Sequence, residues 1–245
     1  MNKIIRKVDR VSTVEEALQL QSLGVEMIGT VIDSDENFND NRVIPDVTAF
    51  EISQRLSSSK FVVELSVKDH FDETLERVEK LGVDYLQPLE NRILPLDFQK
   101  TLSQKGIGII YSNIEVSYDD DPSWILSPFL DEYNVDLSYY QIELLGDIEN
   151  SWHFLQKECP TYSEELQISD INQIAKQHPL LITLDYSPEN ILDIINFMPQ
   201  IKGVSMVLGS NPMKNNLHFL QYSKVLEILD LMKQKSSMLS PKRSG

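Results

Sequence analysis

The chain has 245 residues, 41% hydrophobic and 24% charged, enough to bury a full-size core as one α/β barrel or two small domains. With 22 Lys+Arg against 38 Asp+Glu, its formal net charge of −16 repels nucleic-acid phosphates and anionic membrane surfaces, so neither is an expected partner. A single cysteine, Cys159, excludes an intrachain disulfide. The opening residues lack the apolar core of a secretory signal, and no apolar run is long enough for a membrane span. The expected compartment is the cytosol.

In chain order, an apolar run at 3–9 predicts a first strand that ends on Asp9. Ser12 or Thr13 then supplies an N-cap for a helix whose first turn carries Glu15 and Glu16. Residues Val14–Ile28 and Asp72–Leu86 repeat one design: an acidic helix start, apolar residues at helical spacing, Leu-Gly as a stop, then entry into a buried strand. Leu23-Gly24-Val25 in the first copy matches Leu81-Gly82-Val83 in the second.

Further apolar runs at 27–33, 60–67, 83–89, 107–114, 136–144, 179–185 and 203–209 bring the predicted strands to eight, separated by helical or mixed stretches. This pattern predicts an α/β chain folded as a closed parallel (β/α)8 barrel, a TIM barrel, whose strands are buried on both faces. The rival open doubly wound sheet would carry a glycine-rich phosphate loop after its first strand, and none is present. Residues 1–235 read as one barrel domain and 236–245 as a flexible tail. The polar stretches 34–45 and 115–135 read as solvated loops or lids, and Val225, Leu226, Ile228, Leu229 and Met232 have the spacing of a closing helix.

A parallel barrel gathers the C-terminal ends of its strands around one mouth. Asp9, Glu64, Glu143 and Asp185 all fall near such ends and are expected to form one acidic pocket. It would suit an amine or other cation, place two carboxylates for acid and base work, or bind a divalent ion through oxygen ligands. The metal reading is the weakest, because His70, His153, His178 and His218 have no ligand spacing. No metal and no cofactor are expected. Cys159 has no identified histidine partner and reads as an incidental thiol; Tyr139, Tyr140 and Trp152 read as barrel packing, with stacking on an aromatic ligand as the alternative.

Read in this order, the chain resembles phosphoribosylanthranilate isomerase, a (β/α)8 enzyme of tryptophan biosynthesis. Lys7-Val8-Asp9, Val14-Glu15-Glu16-Ala17 and Leu23-Gly24-Val25 resemble that family's Lys-Ile-Cys-Gly opening, its Val-Glu-Asp-Ala helix and the approach to its second strand. Asn41-Arg42-Val43 resembles its Pro-Arg-Tyr turn, Val83-Asp84-Tyr85-Leu86-Gln87 its Leu-Asp-Val-Val-Gln strand, and Ser187-Pro188-Glu189-Asn190-Ile191 its Thr-Pro-Glu-Asn-Val helix start.

The resemblance implies that Asp9 stands at the position of the family's basic cysteine and that Arg42 holds a substrate carboxylate. At the family's acidic aspartate this sequence has Gln141 in strict register, with Glu143 two residues on; either Glu143 replaces the acid from a shifted position or the acid is gone. The family's Gly-Gly phosphate cradle reads Leu184-Asp185 here, which disfavours a phosphorylated ligand, while Gly209 and Ser210 still offer backbone amides after the eighth strand.

Three functions follow as expectations. The first is a diverged isomerase-like enzyme acting on a small, non-phosphorylated molecule of specialised biosynthesis. In it Asp9 is the base, Glu143 or Asp185 the acid, and Arg42, Glu64, Gln87, Gln141, Gly209 and Ser210 bind substrate. The second is a non-catalytic binding or assembly protein on the same barrel, and the third is the isomerase activity itself. The oligomeric state is left open. A helix-capping role for Asp9 is the structural alternative to its catalytic one.

Overall fold

A computed structural model describes residues 4–33, 42–129, 138–209 and 218–239. Its strands are β1 (Ile5–Asp9), β2 (Met27–Val31), β3 (Lys60–Leu65), β4 (Tyr85–Pro88), β5 (Gly108–Val116), β6 (Ser138–Leu144), β7 (Leu180–Thr183), β8 (Gly203–Leu208) and a short β9 (Phe219–Leu220). The first eight pair in sequence order, all parallel, and β1 pairs back onto β8 from Ile5↔Gly203 to Asp9↔Val207. This is the closed barrel that the eight apolar runs predict.

The helices are α1 (Val14–Ser22), α2 (Asp46–Arg55), α3 (Phe71–Leu81), α4 (Leu96–Gln104), α5 (Ser151–Lys157), α6 (Ile168–Gln177), α7 (Ile191–Phe197) and α8 (Tyr222–Leu239). Thr13 caps α1 by accepting the Glu16 N–H at 3.1 Å. The repeated Leu-Gly stops behave alike: Gly24 and Gly82 take positive φ of 84° and 68°, the left-handed turn that glycine adopts without a Cβ clash. Apolar faces of these helices pack on outward residues of the strands, such as Val8, Ile28, Val63 and Leu86, to form the main core. The closing helix α8 runs on to Leu239, so four residues of the stretch expected as a tail continue it.

The alternation is irregular around β6. Among the described residues no α-helix joins β5 to β6; a 3-10 turn at Ser127–Phe129 buries Leu126 and Phe129, and the Phe129 ring packs 5.7 Å from Tyr111 and 6.5 Å from Tyr140. Two helices, α5 and α6, follow β6 instead.

The seventh strand is also shorter than expected. It ends at Thr183 and meets β8 only at Leu181↔Gly203 and Ile182↔Val204; beyond that β9 takes its place, with Val207↔Phe219 and Leu208↔Leu220. No described helix is long and apolar enough to cross a membrane.

Candidate functional site

Strand parity sorts the barrel interior into two levels. The lower is apolar: Met27, Val62, Ile110 and Leu181 pack together with Ile5, Tyr85 and Tyr139. Two residues further along β1 from Ile5 stands Lys7, fully buried, and two further still Asp9 at 3% exposure. The sequence continues an inward face with charges where its neighbours are apolar, and such charges persist only when paired.

They are paired. Lys7 Nζ forms an ion pair with Asp9 Oδ1 and donates to Gln87 Oε1 at 2.9 Å and Gln141 Oε1 at 2.8 Å, which uses its three hydrogens. Asp9 Oδ2 accepts from Ser205 Oγ at 2.8 Å and Gln141 Nε2 at 3.1 Å. This set of donors fits a carboxylate. Gly29 on β2 leaves room for it, since a Cβ there would collide with Asp9 Oδ1. The network is a polar floor laid across the barrel.

Above that floor lies a cavity of about 50 Å3 lined by Asp9, Glu64, Gln87, Gln141 and Glu143, with Arg10, Ser112, Asn113, Thr183 and Val207 completing the wall. Gln87 Nε2 donates to Glu64 at 3.4 Å. Arg10 directs Nε to Leu208 O at 3.2 Å and lays its guanidinium over the Phe219 ring. Ser112 reaches the cavity by parity, two residues beyond the inward Ile110, while at the register shift of β5 between Tyr111 and Ile114 Asn113, at φ 59°, donates to Leu89 O at 2.8 Å. Arg10, at φ 65°, and Leu145, at φ 55°, are also left-handed, so this strained conformation recurs at the ends of β1 and β6 and within β5. The hydroxyls of Ser112 and Thr183 are buried without a hydrogen-bond partner among the described residues.

Glu143, on β6, is the buried acid of the site. Its Oε1 accepts the backbone N–H of His218, just before β9, at 2.9 Å. Burial pushes its carboxyl up to about 8, with Glu115 adding in the same direction, so at neutral pH it holds a proton. The His218 imidazole lies 3.9 Å from Glu143 and donates from Nε2 to Leu144 O at 3.0 Å; burial lowers its basicity.

The structure therefore brings together five of the expected residues: Asp9, Glu64, Gln87, Gln141 and Glu143. Asp9 is no helix cap, because Thr13 fills that role. Three others are placed differently. Asp185 is expected on the mouth face two residues beyond Thr183, but β7 ends at Thr183 and a tight turn follows, with Tyr186 N–H donating to Leu184 O at 2.8 Å. Strand parity stops there, and Asp185 instead accepts from Ser151 Oγ at 2.7 Å and the Trp152 N–H at 3.2 Å, tying down the start of α5.

Arg42 does not line the cavity either; it holds Glu16 through two hydrogen bonds of 3.0 and 3.1 Å and also donates to Arg10 O and Ser12 Oγ. Gly209 donates its N–H to Leu220 O at 3.1 Å and packs closely on Phe219. Ser210 lies outside the described residues.

Sequence reasoning passed over Lys7, Ser112, Thr183 and His218. Parity with Asp9 would have revealed Lys7, a lysine on the inward face of a buried strand. Ser112 and Thr183 give no signal beyond parity, and His218 is brought in by β9, which no pattern foretells. Tyr139 and Tyr140 pack as barrel residues, Tyr139 edge-on to Tyr85 at 5.7 Å and Tyr140 stacked on Tyr111 at 6.0 Å. Among the described residues no group of three or more His, Cys, Asp or Glu side chains is arranged to hold a metal ion.

The fold is thus a closed parallel (β/α)8 barrel with polar side chains gathered at the C-terminal mouth, the architecture of phosphoribosylanthranilate isomerases. The isomerase of Thermotoga maritima superposes with a TM-score of 0.64 at 14% identity, over 95% of this chain and 100% of that one. Those of Pyrococcus furiosus, with a TM-score of 0.63, 18% identity and the same coverage, and of Thermococcus kodakaraensis, with 0.62, 17% and 99% of this chain, are similar. A phospho-2-dehydro-3-deoxyheptonate aldolase from Thermotoga maritima superposes at 0.62 with 12% identity, over 96% of this chain and 70% of its own. These likenesses establish the fold. No family model and no curated protein matches the sequence.

Proposed function

We propose that this chain is an enzyme that moves protons on a small, non-phosphorylated molecule bound in the mouth of the barrel, with Glu143 as general acid and Asp9 as the ionised partner and base. One observation carries the reading: a desolvated Glu143 carboxyl and an Asp9 ion-paired with Lys7 line one cavity. Glu143 is desolvated and holds its proton, whereas Asp9 receives Lys7, Gln141 and Ser205. A carboxyl that keeps its proton near neutral pH can serve as a general acid beside an ion-paired carboxylate.

The absence of phosphate from the substrate is supported by what occupies the ends of β7 and β8, where barrels of this kind commonly bind that group. Leu184 is fully buried, the Gly209 N–H is spent on Leu220 O, and β9 fills the edge of β8 beyond its pairing with Ile182. This also argues against the isomerase's own reaction for this chain.

The test is a proton-NMR survey of small amines, hydroxy acids and keto acids in D2O, with the wild type beside Glu143→Gln and Asp9→Asn. Deuterium incorporation or turnover by the wild type that falls about 10²-fold or more in Glu143→Gln supports the reading. Turnover that Glu143→Gln leaves unchanged overturns it. The alternative of a non-catalytic binding protein draws on the full complement of donors around Asp9, which suits a structural ion pair; ligand binding without any exchange or turnover would favour it.

A further inference from the structure

His218 reaches Glu143 in two ways. Its backbone N–H donates to Glu143 Oε1 at 2.9 Å, and its imidazole Nε2 stands 3.9 Å from the same oxygen. The carboxyl is 6% exposed and the ring 10%, so the two titratable groups face each other with little water between them. The backbone contact survives a change of side chain at position 218. What the histidine adds is its ring.

That ring lies among acceptors. Nε2 is 3.0 Å from Leu144 O and 3.3 Å from Ser151 Oγ, and Ser151 gives its own hydrogen to Asp185 Oδ1 at 2.7 Å. A carbonyl oxygen can only accept, so Nε2 carries the hydrogen of the neutral ring and Nδ1 its lone pair. Burial holds the ring neutral, against the carbonyls of Leu144 and Leu145 and the carboxylates of Asp185 and Asp147, which all favour a second proton.

Glu143 in turn faces Glu115 from β5 and the Tyr186 phenol beyond β7, and neither is a cation. Arg10, a cation of the same cavity wall, directs Nε to Leu208 O and its guanidinium to the Phe219 ring. We propose that His218 is the positioning residue of the acid: the Glu143 carboxyl and the His218 imidazole hold one proton between them, and a charge on either stabilises the opposite charge on the other. This rests on the reading of Glu143 as general acid and extends it.

When Glu143 gives its proton to a substrate, its O–H bond breaks and a buried carboxylate remains. A proton from solvent then binds the lone pair of Nδ1 and makes an imidazolium whose Nε2 is 3.9 Å from that carboxylate. Opposite charges this close attract strongly where water is scarce, so the pair stays neutral overall and the carboxylate is not left isolated. The acid is restored when the carboxyl is reprotonated and the ring returns its extra proton to solvent. One proton has entered from solvent for the one passed to substrate.

Proton NMR of the imidazole Cε1–H, followed from pH 5 to pH 9.5 and assigned by its loss in His218→Gln, tests the linkage without a substrate. In the wild type this resonance should titrate in two steps, the upper one coinciding with the ionisation of Glu143 read from its carboxyl carbon. Glu143→Gln keeps an oxygen for the His218 N–H; in it the upper step should vanish and the proton affinity of the ring should fall about tenfold or more. Asp185→Asn keeps an oxygen for Ser151 and should lower that affinity by a smaller factor.

A histidine acting through its backbone amide alone would titrate in one step that Glu143→Gln leaves in place, and that result overturns the proposal. Should Glu143→Gln fail to fold by circular dichroism, the wild type decides by itself: two steps, the upper at the Glu143 ionisation, support the linkage and a single step overturns it. The exchange survey in D2O keeps the two readings apart. Exchange that depends on Glu143 beside an unlinked titration would keep the acid and remove His218 from its support, whereas a linked titration without exchange or turnover would remove the acid and leave the linked pair standing.

Discussion

Lys7 and Asp9 stand two residues apart on β1 and form an ion pair sealed inside the barrel, fully buried on the lysine side and 3% exposed on the aspartate. This pair organises the floor of the site, because Gln87, Gln141 and Ser205 all complete their hydrogen bonds on it. Replacing one member leaves a buried charge without its counterpart. Lys7→Met is therefore expected to lower stability by about 3–5 kcal/mol, read by urea denaturation. Asp9→Asn should also destabilise, by stranding the Lys7 ammonium; a solvent-exposed cap at Asp9 would have tolerated asparagine.

Gly29 faces Asp9 across β1 and β2, and any side chain there meets the carboxylate. Gly29→Ala should cost about 1–3 kcal/mol through overpacking. Because the backbone at Gly29 is ordinary extended strand with no positive φ, the whole loss comes from this collision. Combining it with the smaller Asp9→Ser should recover part of the loss in the same denaturation experiment, and strictly additive effects would contradict the contact.

Thr183 and Ser112 carry hydroxyls that have no hydrogen-bond partner among the described residues. Thr183→Val keeps the shape and removes the oxygen, so stability should stay level or rise by up to about 1 kcal/mol, where a threonine with a satisfied hydroxyl would lose about that much. Thermal denaturation without added ligand distinguishes the two signs.

Glu143 makes stability depend on pH in a direction opposite to that of an ordinary surface carboxylate. Its folded value of about 8 lies above the unfolded 4.5, so between these values the folded state binds more protons than the unfolded. Its contribution is full below pH 4.5 and is lost as pH rises toward 8, with a slope approaching 1.4 kcal/mol per pH unit. Glu143→Gln lacks this proton, so its stability relative to the wild type should climb across that window and then level. A flat difference between the two proteins from pH 5 to pH 8 would show that Glu143 is ionised throughout.

Asp185 anchors α5 by accepting from Ser151 Oγ and the Trp152 N–H. Asp185→Ala should cost about 1 kcal/mol, as loss of a helix-capping group does, and should leave the proton exchange followed in D2O unchanged. Loss of that exchange with unchanged stability would return Asp185 to the mouth.

The sequence by itself determined the barrel. Continuous apolar runs, Leu-Gly stops at Gly24 and Gly82, and a hydroxyl cap at Ser12 or Thr13, which the structure resolves to Thr13, are local signals, each within one or two turns of chain, and the eight strands formed where they lay. Parity alone also carried Asp9, Glu64, Gln87, Gln141 and Glu143 to one cavity, since a strand's period of two is fixed by its backbone. Only the tertiary structure decided the rest. Parity fails where a strand stops, and the place where β7 stops depends on β9 taking over the edge of β8, so Asp185 could not be assigned from its own neighbours. Arg42 was claimed by Glu16, 26 positions away in the chain. His218 reaches Glu143 across 75 positions. Contacts between distant residues carry no periodic trace, because what selects them is the complementarity of two surfaces that meet only once the barrel has closed.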